Sequence, residues 1–115
     1  MQAVIETEIF LRDAKAAGIS ETERAAIVNY VAMNPEAGDE IRGTGGARKL
    51  RFGEKGKGKR GGFRVILFSS GDDIPVFPLN VFAKNEKTDL SQAERNAFRA
   101  TLAALARAYR RGKKR

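Results

Sequence analysis

Apolar and polar positions divide the chain into a helical first third, a strand-rich middle and a final helix. Ala3-Val4-Ile5-Glu6 is a short β-like run. Glu8 to Ala17 follows as a first helix, and Gly18 stops it, as a glycine just past a helix end commonly does. Ser20-Glu21-Thr22-Glu23 has the form of a capping box, with Ser20 as N-cap and Glu23 reaching back. The second helix carries Ala26, Ile27, Tyr30 and Val31 on one stripe and ends at Asn34, because Pro35 does not continue it. This helical hairpin is expected to cover one side of a sheet, with Tyr30 as a core or rim aromatic.

Pro35 to Gly46 is rich in turn formers and reads as a loop. From Arg48 to Phe52 the pattern switches to period 2, with Leu50 and Phe52 facing one way and Lys49 and Arg51 the other. Gly53 to Gly62 is a hairpin loop of glycine and lysine. Phe63 to Phe68, the most apolar run of the chain, predicts a central strand with Arg64 near its start. A turn at Gly71-Asp72-Asp73 leads to an apolar strand over Val76 to Phe82. Pro78 lies inside that strand and demands an edge position or a bulge.

Ser91-Gln92-Ala93-Glu94 is a second capping box. It opens a helix whose stripe of Phe98, Leu102, Leu105 and Tyr109 has the spacing of a core-facing surface. The basic residues after Tyr109 are expected to fray. The predicted order is β-α-α-β-β-β-α: an α+β fold with a largely antiparallel sheet, an N-terminal helix pair and a C-terminal helix. At 115 residues, one domain over 1–115 is expected, with 107–115 as its basic tail.

Charge changes this picture from a fold to a surface. The net charge is +8, and it is concentrated. Residues 42–64 hold nine of the 22 cations and a single acid, Glu54, while 107–115 hold six cations and no acid. The other 83 residues carry seven bases and 13 acids. A mildly acidic body with two basic patches points to a polyanionic partner. The chain has no cysteine, which excludes disulfides and thiolate metal sites and suits a cytoplasmic location. It also has no histidine, so the commonest general base is missing. No secretory leader or membrane span is expected.

Within the basic strip, Lys49 and Arg51 share one strand face and can lie along a phosphate backbone, with Arg48 beside them. Lys55, Lys57, Lys59 and Arg60 stand among glycines that leave room for close approach. The string lacks the GxxxxGK[ST] form of a nucleotide-hydrolysing loop, which excludes that activity. Arg64, at the mouth of an apolar strand, presents a planar fork suited to a phosphoryl oxygen. A structural pairing with Asp72 or Asp73 is the competing role for it. Lys84, just past the last strand, is the second candidate, with a solvated strand end as its alternative. Without histidine, a lysine crowded by other cations can serve as base against a 2′-hydroxyl. Neither Asp39-Glu40 nor Asp72-Asp73 makes a convincing metal cage, so no cofactor is expected.

Three strings together carry a resemblance. They are Gly43-Thr44-Gly45-Gly46-Ala47-Arg48-Lys49-Leu50-Arg51, then Lys55-Gly56-Lys57-Gly58-Lys59-Arg60-Gly61-Gly62-Phe63-Arg64, and then Phe82-Ala83-Lys84-Asn85-Glu86 with Asp89-Leu90 after it. In this order they resemble the RelE/HigB family of type II toxin–antitoxin toxins, and the HigB branch most closely. The resemblance implies a ribosome-dependent endoribonuclease that cuts mRNA in the A site through attack of the 2′-hydroxyl on its own phosphate. It further implies Arg64 as stabiliser of the phosphorane charge, with Lys57, Lys59 and Lys84 as catalytic partners. Arg48, Lys49, Arg51, Lys55 and Arg60 would hold RNA. The partners implied are the 70S ribosome with its mRNA and a cognate antitoxin, helix-turn-helix and HigA-like, which acts by covering the basic face or displacing the last helix. The sequence departs from its relatives in having Phe82 where many place Tyr, and no Tyr or His directly after the KNE segment. Two other readings remain open: inhibition of DNA gyrase, as in the related ParE toxins, and plain RNA binding.

Overall fold

The computed structural model describes residues 2–52, 62–71, 73–83 and 90–113. Helix α1 spans Glu8–Ala16 and α2 spans Glu21–Met33. Four strands follow, β1 (Asp39–Glu40), β2 (Ala47–Phe52), β3 (Phe63–Phe68) and β4 (Phe77–Ala83), and α3 (Gln92–Lys113) closes the order. The sheet runs β1-β2-β3-β4 with every neighbouring pair antiparallel. This is an α+β architecture with two N-terminal helices and a C-terminal helix.

Local chemistry explains the helix ends. Gly18 adopts φ +76°, which L side chains avoid. At Ser20 both halves of the capping box form: the Glu23 amide donates to the Ser20 hydroxyl, and the Ser20 amide donates to the Glu23 carboxylate. Ser91 and Glu94 repeat the arrangement at the start of α3.

Each face of the sheet buries its own core. On one face Leu50, Val65, Leu67 and Val81 pack with Phe10 and Ala14 of α1 and Ile27 and Val31 of α2. On the other, Ala47, Ile66, Phe68 and Phe77 pack with Leu102 and Ala106 of α3. Coverage on both sides explains why β3 reads as a continuous apolar run rather than an alternating one. Pro78 satisfies both sequence conditions at once, since β4 is the last strand in the sheet order and the β3–β4 register shifts between Ile66 and Leu67.

Four expectations are corrected. Ala3–Glu6 forms no strand; Val4 makes an isolated parallel bridge to Val76. The first strand is Asp39–Glu40, inside the predicted loop. On α2, Ile27, Val31 and Ala32 are buried, while Ala26 and Tyr30 are exposed; Tyr30 sits at the rim, edge-on to Phe52 at 5.9 Å. Helix α3 continues past Tyr109, where fraying is expected. Arg110 explains this: its Nε donates to Asp73 Oδ2 at 2.6 Å and its Nη2 to the Ser70 carbonyl at 2.7 Å. The side-chain hydrogen bond to Asp73 pushes the Arg110 pKa up from its already high ordinary value.

Candidate nucleic-acid interface

The face of the sheet that α3 packs on is organised in rows, because residues directly opposite in antiparallel strands point the same way. The first row is Ala47, Phe68 and Phe77. It is apolar and buried, with Phe68 and Phe77 stacked at 6.4 Å and Tyr109 edge-on to Phe77 at 6.2 Å. In the second row Lys49 stands opposite buried Ile66, with Asp39 on its outer side. The third row is Arg51, Arg64 and Phe82. Along β2 the character therefore changes within four residues from a sealed core to a cationic surface.

The third row sets two guanidiniums against each other across adjacent strands. Directly opposed like charges cost a sheet about 0.2–1 kcal/mol relative to a neutral pair, and a bound anion between them reverses the sign of that term. Arg51 is exposed and Arg64 is half-buried, while Phe82 closes the row with a partly buried aromatic ring. Arg64 and Lys49 both have partners within the fold. A guanidinium carries five N–H donors, so one neighbour leaves donors for a phosphate. Among residue types, arginine also fits the planar, bidentate geometry of a phosphoryl group best.

The structure separates the other predicted residues. Arg48 lies on the opposite face of β2, in register with Leu67 and Glu40, and its Nη1 donates to the Gly38 carbonyl at 3.0 Å. Its position makes it a clamp on the strand edge. Lys55, Lys57, Lys59, Arg60 and Lys84 lie outside the described residues, as does Asp72. Asp73, the other acid weighed as a partner for Arg64, binds Arg110 beyond the far end of β3.

The glycine-threonine string before β2 is a folding element. Gly43, Gly45 and Gly46 have φ of +79°, +76° and +134°. Thr44 is fully buried; its hydroxyl donates to the Ile41 carbonyl (2.7 Å) and accepts from the Ala47 amide (3.1 Å). A Cβ on Gly46 would meet the Phe68 ring at 2.7 Å. The turn thus fixes where β2 starts, and with it which residues of β2 face outward beside Arg64.

Two cations not singled out from the sequence lie at this turn. Arg95 and Arg99 of α3 pass over Gly43 and Gly45. Arg95 Nε donates to the Leu90 carbonyl at 3.2 Å, which ties the helix start in place. Their four-residue spacing on α3 is the signal that marks them as neighbours.

Taken together, these features define a small basic α+β domain whose sheet offers a cationic row beside a packed helix. The family model described as the RelE toxin of the RelE/RelB toxin–antitoxin system matches residues 2–113. The chain belongs to the RelE toxin family, and as the toxin of such a system it has an antitoxin as partner. No helix among the described residues is long and apolar enough to cross a membrane.

Proposed function

We propose that the protein is a metal-independent, ribosome-dependent endoribonuclease of the HigB branch, which stops translation by cutting mRNA in the A site. The opposed pair Arg51–Arg64 carries this reading. Two guanidiniums from adjacent strands on one sheet face make a seat for a phosphodiester, and Lys49 extends it by two residues, about 7 Å along β2. In this mechanism the ribose 2′-hydroxyl attacks the adjacent phosphate. Arg64 stabilises the charge that develops on the phosphorane oxygens, the task for which fixed donors are worth most. Lys49 and Arg51 hold the backbone, and Lys57, Lys59 and Lys84 complete the catalytic set. Lys55 and Arg60 add phosphate contacts. Arg48 contributes by holding the edge of β2 rather than by touching RNA. The partner antitoxin is HigA-like and carries a helix-turn-helix, and the toxin acts in the cytoplasm.

Primer extension on a message translated in a cell-free reaction tests the reading. The expected result is discrete cuts within codons that appear only when ribosomes translate. Undisturbed translation with no cuts would overturn it. Translation-independent DNA damage through gyrase would replace it with the ParE-like reading.

A further inference from the structure

The shortest strand of the sheet is also its least economical. Strand β1 consists of Asp39 and Glu40, both exposed, so it buries nothing of its own. Yet several contacts hold it against β2. Gly38 adopts φ +89°, and a Cβ there would come within 2.6 Å of the Lys49 carbonyl oxygen, so β1 approaches more closely than a side chain would allow. Arg48 grips the Gly38 carbonyl, and the Ile41 amide donates to the Ala47 carbonyl at 2.9 Å. Capping an open edge does not call for acids, since lysine is the residue usually placed there. Among the described residues, Asp39 and Glu40 are the only acids in any strand. Their register separates them. Glu40 opposes Arg48 on the face turned away from the cationic rows, whereas Asp39 opposes Lys49 on the face that carries Arg51 and Arg64.

A carboxylate on a phosphate-binding face repels the ligand that the face is built for. It is useful there only for something that its neighbours do badly. An ionised carboxylate accepts hydrogen bonds and protons and donates none. The surrounding cations are poor acceptors, and the chain has no histidine.

We propose that Asp39 is the general base of the cleavage reaction. The inference rests on the endoribonuclease reading above and assigns the group which that reading leaves open. The Asp39 carboxylate takes the proton from the ribose 2′-hydroxyl, and the freed electron pair on the 2′-oxygen forms the new bond to phosphorus. The bond from phosphorus to the 5′-oxygen of the following nucleotide breaks. That oxygen leaves with the electron pair and takes a proton from a lysine ammonium of the strip. The products are a 2′,3′-cyclic phosphate and a 5′-hydroxyl, and no oxidant or reductant is consumed. β1 and β3 lie on either side of β2, about 10 Å apart across the sheet. Asp39 and Arg64 thus approach a ribose phosphate lying over Lys49 and Arg51 from opposite sides.

The test compares wild type, D39N and D39A in single-turnover cleavage on 70S ribosomes programmed with one message. Ribosome co-sedimentation and thermal melting are measured alongside. D39N keeps the shape of Asp39 and loses its basicity, so cleavage should fall by about 100-fold or more while co-sedimentation and melting stay as in wild type. D39A should lose cleavage likewise and regain part of it as formate is added, because a free carboxylate can stand in for the missing base. Full cleavage by D39N overturns the assignment and leaves the endoribonuclease reading standing. Loss of cleavage in both variants without formate rescue also overturns it, since Asp39 would then act through structure. If wild type itself cuts nothing, the endoribonuclease reading fails and takes this inference with it.

Discussion

The two ends of the sheet face under α3 share the same three strands and have opposite characters. At one end Ala47, Phe68 and Phe77 are closed off by Leu102 and Ala106, a fully apolar contact. At the other, two residues past Lys49, Arg51 meets Arg64. The apolar end is where the fold gains stability, at about 1.5–3 kcal/mol for each large side chain fully buried. The cationic end gives a little back through the repulsion of two like charges. One face therefore combines a region that stabilises the folded state with one to which the proposed function assigns a ligand, and under that proposal substitutions at the two ends should have opposite signatures.

The largest effect is expected at the apolar end. Phe68→Ala should cost about 3–5 kcal/mol, read as a lower denaturation midpoint, since Phe68 is almost completely buried and stacks on Phe77. Preserved stability in that variant would mean that α3 does not depend on this row. Arg64→Ala should do the reverse: cleavage on ribosomes drops about 10²–10³-fold while the melting temperature changes little, because the partner lost with Arg64 is offset by relief of its repulsion with Arg51. A variant that melts early would place Arg64 among the structural residues. Gly46→Ala tests the junction between the two ends. The strained φ and the approach to Phe68 predict a loss of about 1–3 kcal/mol in chemical denaturation, with the cationic row intact in whatever fraction stays folded. The smallest change is Arg51→Ala. Removing one of the opposed charges should stabilise the free protein by about 0.2–1 kcal/mol and lower the salt slope of RNA binding by about 1. If Arg51→Ala is instead less stable, the two guanidiniums do not repel and the comparison between the ends collapses.

Most of this architecture was legible from pattern alone because strong local signals coincide with it. Both capping boxes form, Gly18 ends α1, and Pro78 announces an edge strand with an irregular register. Alternation along β2 correctly separated Lys49 and Arg51 from Leu50 and Phe52. What escaped is long-range or too short for a period. Strand β1 has two residues and no apolar member, so hydrophobic periodicity cannot reveal it. That Arg64 faces Arg51 depends on the β2–β3 register, which the strands' own patterns constrain only to the parity of the face. The GTGG string read correctly as a rich source of turn formers, but that its glycines take three positive φ values around a buried threonine, and so set the start of β2, was not visible in composition. Arg48 belonged by sequence to the basic strip, yet the same period-2 alternation sends it to the other face.

The bridge between Val4 and Val76 bears on the order in which the molecule is made. The Ile5 amide bonds the Val76 carbonyl, the Val76 amide bonds the Ala3 carbonyl, and the Gln2 side chain reaches the Ile74 carbonyl. The segment ahead of α1 is thus tied both to the Ala32 carbonyl at the end of α2 and, across about seventy residues of sequence, to the stretch that leads into β4. Contacts of such sequence separation form slowly. A nascent chain can complete both capped helices and the Gln2–Ala32 bond early, but it can pair Ala3 and Ile5 with Val76 only once that later stretch has been synthesised. Any toxicity that requires the closed sheet consequently appears only after β4 has been made.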